Sequence, residues 1–364
     1  MMRIIWNGAL SAALALAGPL VAQTLDQRMA GTPDGSVQFH FAARAAVCGN
    51  GRTFMRADDN NWYTSYNGNG GSADVCAIGP VRVVLTRAGR DVVKIESFAG
   101  PLAADEHVGR DIGVVGAREA ATYLLGLATT LDGRPAREAL TPAMLADSAV
   151  VTPQLLQLAK DQSRARDLRR NAISWLARRR AETGGIGADA AERALDQLVR
   201  DRSESESVRT QAMSTISSLD RGEGIPVLIK FANDADTWLS RQAFSSLSRS
   251  GDPRARDYVR VSAKRSDLTE ENRVRAIESL GGEYATGADL KALREMYPSL
   301  NSDRQRDILI STLASAGGTE NATWLLAIAK SPTEPAQRRR RAISLLAKFD
   351  DPRVRDSLKE LVDH

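Results

Sequence analysis

The sequence predicts a mainly α-helical fold of repeating helix pairs, preceded by a small disulfide-bonded β-domain. Three observations support this fold class. Apolar residues alternate with period two only in the first third of the chain, and they recur with helical spacing from about Asp111 onward. A stretch that starts at Arg169, RRNAISWLARR, returns from Arg339 as RRRAISLLAKF. Both cysteines lie within the region of alternating apolar residues.

Residues 1–22 have the layout of a secretory signal peptide. Arg3 is followed by an apolar centre over residues 9–17, and a Gly-Pro pair stands shortly before the small residue Ala22. A membrane anchor is the alternative, but the apolar run is short for a bilayer span and the Gly-Pro pair interrupts it. We therefore expect cleavage after Ala22, no stable membrane span afterwards, and a periplasmic or secreted mature protein.

Cys48 and Cys76 are the two cysteines of the chain, and both follow the predicted cleavage site. In an exported chain, an isolated pair of this kind favours a disulfide. A metal site is the alternative, yet His40 is the only imidazole near them, which leaves too few ligands. We therefore predict that Cys48 and Cys76 are bonded.

Periodicity divides the rest of the chain. Alternating apolar residues predict half-buried strands over residues 36–98, with a hairpin turn at 86–91. The polar, Gly- and Asn-rich stretch 49–74 is predicted as a long loop. We assign residues 23–35 to a linker, 36–110 to a β-rich domain and 111–364 to a helical domain.

The helical domain is predicted to repeat a pair of helices. Each second helix has a small anchor residue, usually with an Arg three residues before it and an aliphatic residue four after it, all on one helical stripe. Helix pairs that repeat every 30 to 40 residues or so are typical of an α-solenoid. The predicted anchors are Ala172, Ala212, Ala243, Ala276, Asp307 and Ala342.

At these second helices the chain resembles the HEAT-repeat proteins, which are armadillo-like α-solenoids. Their second helix commonly opens with Val/Leu-Arg-x-x-Ala, which is found here as VRTQA and LRRNA and, less closely, as RVRAI. The resemblance covers residues 112–364 or thereabouts. It implies the fold and a scaffold-like role, and it transfers no catalytic residue.

Common catalytic motifs are missing from the sequence. It contains no GxSxG, no HExxH and no Walker loop, and its three histidines are scattered. Two GxGxxA matches, beginning at Gly68 and Gly185, do not follow a predicted strand. We therefore predict no catalytic residue, cofactor or metal, and expect that the protein is not an enzyme. A HEAT-like lyase or another enzyme with an unidentified site stays open as the alternative.

Composition bears on the partner. The 49 basic and 45 acidic residues nearly balance, with a net charge of +4, and together with the predicted export this opposes nucleic-acid binding. We therefore expect an exported scaffold that binds a protein or peptide. The repeated Arg invites an alternative role in binding an anion, but we expect it to be structural, with its stem across the preceding turn.

Helical geometry predicts where a partner would bind. If the anchor and the residues one and four beyond it are buried, the residues one before and two beyond it reach solvent, on the concave side of a HEAT-like solenoid. The first of these columns becomes basic towards the C-terminus, so we expect an extended partner whose acidic end lies near the last repeats. Ordinary solvated helix positions remain an alternative. The candidate partner-binding residues are Gln211, Gln242, Arg275, Arg306 and Arg341, and the second column is Ser174, Ser214, Ser245, Glu278, Leu309 and Ser344.

Overall fold

The computed structural model describes residues 24–32, 34–56, 64–65, 76–102, 109–183, 185–219, 222–350 and 352–362. The predicted signal peptide and much of the predicted loop 49–74 lie outside these ranges. The chain divides into two compact units. The first contains the described residues of Met1–Leu127 together with Thr141–Ala149, and the second contains Ala128–Leu140 and those of Val150–His364.

The first unit begins with a short helix, α1 (Leu25–Ala30), where the sequence predicts a linker. Thr24 caps it through a capping box with Gln27, which satisfies backbone donors at the start of the helix. Leu25 and Met29 are fully or almost fully buried. The Arg87 guanidinium also donates to the carbonyl oxygen of Met29, at 2.6 Å. Capping, apolar burial and this bond therefore hold α1 in the first unit.

The described part of the first unit contains two four-stranded sheets, with orders β7-β6-β1-β8 and β4-β3-β2-β5. Strand β1 pairs antiparallel with β6 and parallel with β8. As the alternation predicts, Val37, Phe39 and Phe41 of β1 are buried. Gly89, at φ 64°, forms the predicted hairpin turn between β6 and β7. The strands are β1 (Gly35–Phe41), β2 (Cys48–Gly49), β3 (Phe54–Arg56), β4 (Thr64–Ser65), β5 (Ala77–Ile78), β6 (Val81–Ala88), β7 (Asp91–Ala99) and β8 (Arg110–Val114).

The predicted disulfide between Cys48 and Cys76 is confirmed. Cys48 lies in β2, and Cys76 immediately precedes β5. These two strands also pair antiparallel, with Cys48 opposite Ile78. The covalent bond and the backbone ladder therefore hold the same two short strands together.

Helices follow in regular alternation, as the sequence predicts. From α4 onward, even-numbered helices are first helices and odd-numbered helices are second helices, and the described residues form six such pairs before α16. Consecutive second helices contact one another in the second unit. The helices are α2 (Ala117–Thr130), α3 (Gly133–Leu145), α4 (Thr152–Lys160), α5 (Arg166–Thr183), α6 (Gly185–Arg200), α7 (Glu206–Ser217), α8 (Ile225–Ala232), α9 (Thr237–Arg249), α10 (Pro253–Lys264), α11 (Glu270–Leu280), α12 (Gly287–Met296), α13 (Asp303–Ala316), α14 (Thr319–Lys330), α15 (Ala336–Leu346) and α16 (Pro352–Val362).

The anchor of α13 is Leu309, and the predicted anchor Asp307 is wrong. Leu309 and Ile310 are fully buried, whereas Asp307 is only partly buried. Leu309 also lies midway in the sequence between the anchors Ala276 and Ala342. The prediction that Leu309 faces solvent is therefore wrong as well. The sequence alignment followed an Arg three residues before the anchor and chose Arg304, whereas the residue at that position is Arg306.

In three consecutive pairs, a polar side chain near the start of the second helix donates to a carbonyl oxygen near the end of the first helix. The last carbonyls of an α-helix have no partner within the helix, so these bonds satisfy groups that packing would otherwise leave unpaired. The repeated Arg is thus part of the helix-pair structure. The bonds run from Arg169 Nε and Nη2 to Ala159 at 3.1 and 2.9 Å, from Arg209 Nε to Val199 at 2.9 Å, and from Ser240 Oγ to Ala232 at 3.0 Å.

Buried ion pairs also join neighbouring repeats. Arg169, which is 2% exposed, pairs with the buried Glu204 in the turn before α7, with Nη1 to Oε1 at 3.0 Å. Arg338, which is 4% exposed, donates to Asp303 at 2.7 Å and to Asp307 at 3.1 Å, both on α13. Removing one partner of such a pair leaves a buried charge uncompensated.

We expect the double variant Cys48→Ser, Cys76→Ser to lower the free energy of unfolding of the first unit by about 3 kcal/mol, because the bond restricts the unfolded chain. Urea unfolding of variant and wild type measures the difference. Alkylation of unreduced, unfolded wild-type protein should label neither cysteine. Two labelled thiols would contradict the bond.

We expect Glu204 to make stability depend on pH. Burial alone would raise the pKa of Glu204, but hydrogen bonds from Arg169 and from the Ser205 N–H outweigh burial and lower it. Its contribution is therefore complete above the unfolded pKa of about 4.3 and is lost as pH falls through the lower folded value. Urea unfolding should give free energies of unfolding for wild type and Glu204→Gln that differ by about 3 kcal/mol at neutral pH and converge in acid. A difference that does not change with pH would exclude this linkage.

Candidate partner-binding surface

We call the solvent-facing surface of α5, α7, α9, α11, α13 and α15 the second-helix face. With the corrected anchor, the residues two beyond each anchor are all exposed or half-buried, and five of the six are serines. A serine side chain is short, so it leaves room for a partner at an exposed helix position. Its hydroxyl group can donate and accept hydrogen bonds. These residues form the serine column, which consists of Ser174, Ser214, Ser245, Glu278, Ser311 and Ser344.

The residues one before each anchor partly serve helix packing. Gln211 is half-buried and donates from Nε2 to Ser174 Oγ on the preceding second helix, at 3.0 Å. Arg341 makes the equivalent bond to Ser311 Oγ at 2.8 Å. Gln242 is also half-buried. With Ser311 in place of Leu309, the two columns thus bond to each other between neighbouring helices, at both ends of the array.

Arg275 does not reach solvent, so its predicted exposure is wrong. Its side chain is only 3% exposed and pairs with Glu271 at 2.8 Å. It also donates to the carbonyl oxygen of Thr237 at the start of α9. The preceding second helix therefore binds the guanidinium and removes it from the candidate surface.

Arg306 also departs from the predicted column. Because Leu309 is the anchor, Arg306 takes the position of the repeated Arg, and Ile308 stands one before the anchor. Arg306 is half-buried, with Cζ 5.8 Å from the centre of the Tyr297 ring, a contact of the cation-π type. Of the three predicted basic residues, Arg341 alone is exposed. The structure therefore does not assemble the predicted basic column.

Of the exposed basic residues on and just after α15, only Arg341 was among the predicted sites. Arg340 and Arg341 are exposed on the same side of α15 as Gln337 and Ser344, and the exposed Lys348 lies in the turn after the helix. The run of four arginines, residues 338–341, was the signal in the sequence. That run divides in the structure, because Arg338 is buried and Arg339 is half-buried, whereas Arg340 and Arg341 turn towards solvent.

Electrostatics explain why Arg338 stays charged although it is buried. Burial would lower its pKa, but hydrogen bonds to Glu334, Asp303 and Asp307 raise it instead. The Tyr297 hydroxyl donates to Glu334 at 2.9 Å, and burial together with this bond raises the pKa of Tyr297. The carboxylates of α13 are therefore bound to Arg338.

A groove of about 450 Å³ lies between the first helices α6 and α8. Pro226 and Val227 form its apolar part, and charges of both signs line it. Asp196 already pairs with Arg200 at 3.2 Å, and Arg200 also binds Asp234 at 2.9 Å. The charges around the groove thus partly compensate one another.

The described residues contain no group of three His, Cys, Asp or Glu side chains that could hold a metal ion. Within the same ranges, no helix combines the length and apolarity that a membrane span requires.

Comparisons identify the repeat. Residues 191–281, which extend from α6 into the residue after α11, match the family described as HEAT repeats. No curated protein matches the chain. A structure of human deoxyhypusine hydroxylase is similar to it, with 17% identity and a TM-score of 0.27, over 67% of this chain and 96% of that one.

Two further solved structures are similar. One is the CpcE and CpcF complex of phycocyanin lyase from Nostoc, with 17% identity and a TM-score of 0.25, over 58% of this chain and 95% of that one. The other is a structure of Kap95p bound to RanGDP, with 11% identity and a TM-score of 0.22, over 67% of this chain and 28% of that one. At such TM-scores these likenesses support no inference about activity.

We expect Arg275→Gln to lower the free energy of unfolding by about 2–3 kcal/mol, since it removes the charged donor from both the Thr237 carbonyl oxygen and Glu271. The matched variant Arg341→Gln, which changes an exposed residue, should stay within about 0.5 kcal/mol of wild type. Urea unfolding of the three proteins provides the measurement. Equal losses in both variants would mean that Arg275 is not fixed in the fold as described.

Proposed function

Because the chain is a HEAT-repeat protein, we propose that it is a non-enzymatic binding protein whose second-helix face receives a protein or peptide partner. HEAT repeats form helical scaffolds, and stacked repeats provide extended binding surfaces. Residues 191–281 carry the family match, and the helix pairs continue beyond them on both sides. The proposal therefore assigns the surface of the whole array to binding.

The serine column is the observation that carries this proposal. Its members repeat on six consecutive second helices, and all have some exposure. Short side chains allow a partner backbone to approach closely, and the exposed hydroxyl groups of Ser214 and Ser344 can donate and accept hydrogen bonds. A partner in extended conformation could contact several helices at once.

The perturbed carboxylates support a role without catalysis. Asp289 is buried, and its pKa is lowered by hydrogen bonds from Thr286 and by Arg260, which outweigh the effect of burial. Arg256 also binds its Oδ2 atom, at 2.7 Å. Glu204 is held low in the same manner by Arg169. These ion pairs join helices, so packing accounts for the shifts without an acid or base in a reaction.

We extend the proposal to an exported protein, periplasmic or secreted. A disulfide persists best in an oxidising compartment, and the bond between Cys48 and Cys76 meets that condition. The signal-like pattern of residues 1–22 ends just before Thr24, which caps α1. Fractionation of cells that express the full chain, with amino-terminal sequencing of the product, tests export. A product that begins at Met1 and stays in the cytoplasm would contradict it.

We expect Ser214→Arg to weaken partner binding by about tenfold or more, because a long side chain at an exposed position of α7 would keep a partner away. The partner would be recovered with immobilised wild-type protein from the periplasm or medium, identified, and titrated against each variant. Ala327→Arg, an exposed position on the first helix α14, is the matched control and should bind as wild type does. Equal binding by all three proteins would place the site away from the second-helix face.

A further inference from the structure

The charge on α15 differs from that on the second helices before it. Its exposed side carries Arg340 and Arg341 and no carboxylate, and the exposed Lys348 follows in the turn after the helix. Gln337 and Ser344, which share this side of α15, are neutral. Three exposed cations therefore lie close together in the sequence on α15 and the turn after it, where nearby like charges repel each other.

The neighbouring helix does not neutralise these cations. Asp303 and Asp307 of α13 bind the buried Arg338, which already compensates their negative charge. The bond from Arg341 to α13 is to the neutral hydroxyl of Ser311. Within the described part of the chain, Arg340 and Lys348 have no carboxylate partner.

The preceding interface provides an internal comparison. There, Glu271 of α11 pairs with Arg275 on its own helix and with Arg304 of α13. Arg275 and Arg304 are thus neutralised within the array, in contrast to Arg340 and Arg341 of α15. A carboxylate is therefore the group that would neutralise the exposed cations of α15.

We propose that the exposed face of α15 and the turn after it, through Arg340, Arg341 and Lys348, bind an acidic segment of the partner protein. This inference rests on the proposed function and names the chemistry of one end of the partner. Guanidinium groups bind carboxylates in two-pronged geometry, and Ser344 leaves room between Arg341 and Lys348 for the partner's backbone. A long polyanion fits less well, because the serine column is otherwise neutral and includes the acidic Glu278.

The test measures binding of a labelled oligoglutamate peptide to the full chain at low salt. The variant Arg340→Glu, Arg341→Glu, Lys348→Glu should weaken binding by about tenfold or more, with an effect that declines as salt rises. The control Arg193→Glu, Lys230→Glu, Lys264→Glu makes the same change in net charge at exposed positions of first helices and should bind as wild type. A neutral variant with Gln at residues 340, 341 and 348 should lie between wild type and the charge reversal, and it preserves the test if the reversal does not fold.

Several results would overturn the inference. These are no binding of oligoglutamate to the wild type, equal weakening in both triple variants, or tighter binding of an oligothymidylate that responds to the same substitutions. Binding of the partner recovered with wild-type protein distinguishes a failure of this inference from a failure of the proposed function. If Ser214→Arg releases that partner while charge reversal on α15 does not, the binding function stands and the acidic segment is excluded.

Discussion

The packing of each helix pair depends on satisfying the carbonyl groups where the first helix ends. Arg169, Arg209 and Ser240 do so in successive pairs, each reaching from the start of its second helix. A carbonyl buried there without a partner would destabilise the pair by about 1–3 kcal/mol. The requirement fixes the direction of one polar side chain per pair and so decides which side chains remain available to a partner.

The same constraint separates structural arginines from those that can bind. Arg275 is held by Glu271 and by the Thr237 carbonyl oxygen, and Arg338 is held by carboxylates of α13. Each of these ion pairs withdraws a cation from the surface and neutralises its carboxylate partners. The exposed charge on the second-helix face is therefore what remains after packing, and it is concentrated on α15, where Arg340 and Arg341 face solvent.

Periodicity was sufficient to predict the helix pairs and the anchors such as Ala172 and Ala342, because these depend on residue type and spacing. The disulfide was predicted from an isolated pair of cysteines that follows a signal-like segment. Periodicity could not place Arg275, since one step along a helix turns a side chain by about 100°, and the neighbouring helix decides whether that direction is buried. The anchor Leu309 was missed because Arg304 imitates the spacing of the repeated Arg. Helix α1 is too short for a periodic signal, although Thr24 and Gln27 have the spacing of a capping box.

Polar contacts that differ between repeats also explain why helices of nearly identical sequence pack only against their own neighbours. The helices that contain RRNAISWLARR and RRRAISLLAKF could exchange neighbours if apolar packing alone selected them. Arg169 is buried in the first, whereas in the second the buried residue is Arg338, at the position that Leu168 takes in α5. In the repeats between these two helices, the Ser240 hydroxyl donates to Asn272 Oδ1 at 2.8 Å, so that contact joins two neutral side chains. An exchange would bury Arg169 or Arg338 away from its carboxylates, at a loss of several kcal/mol. The polar side chains at the interfaces thus make each repeat specific for its neighbour, while the aliphatic stripe that the repeats share supplies most of the buried apolar area.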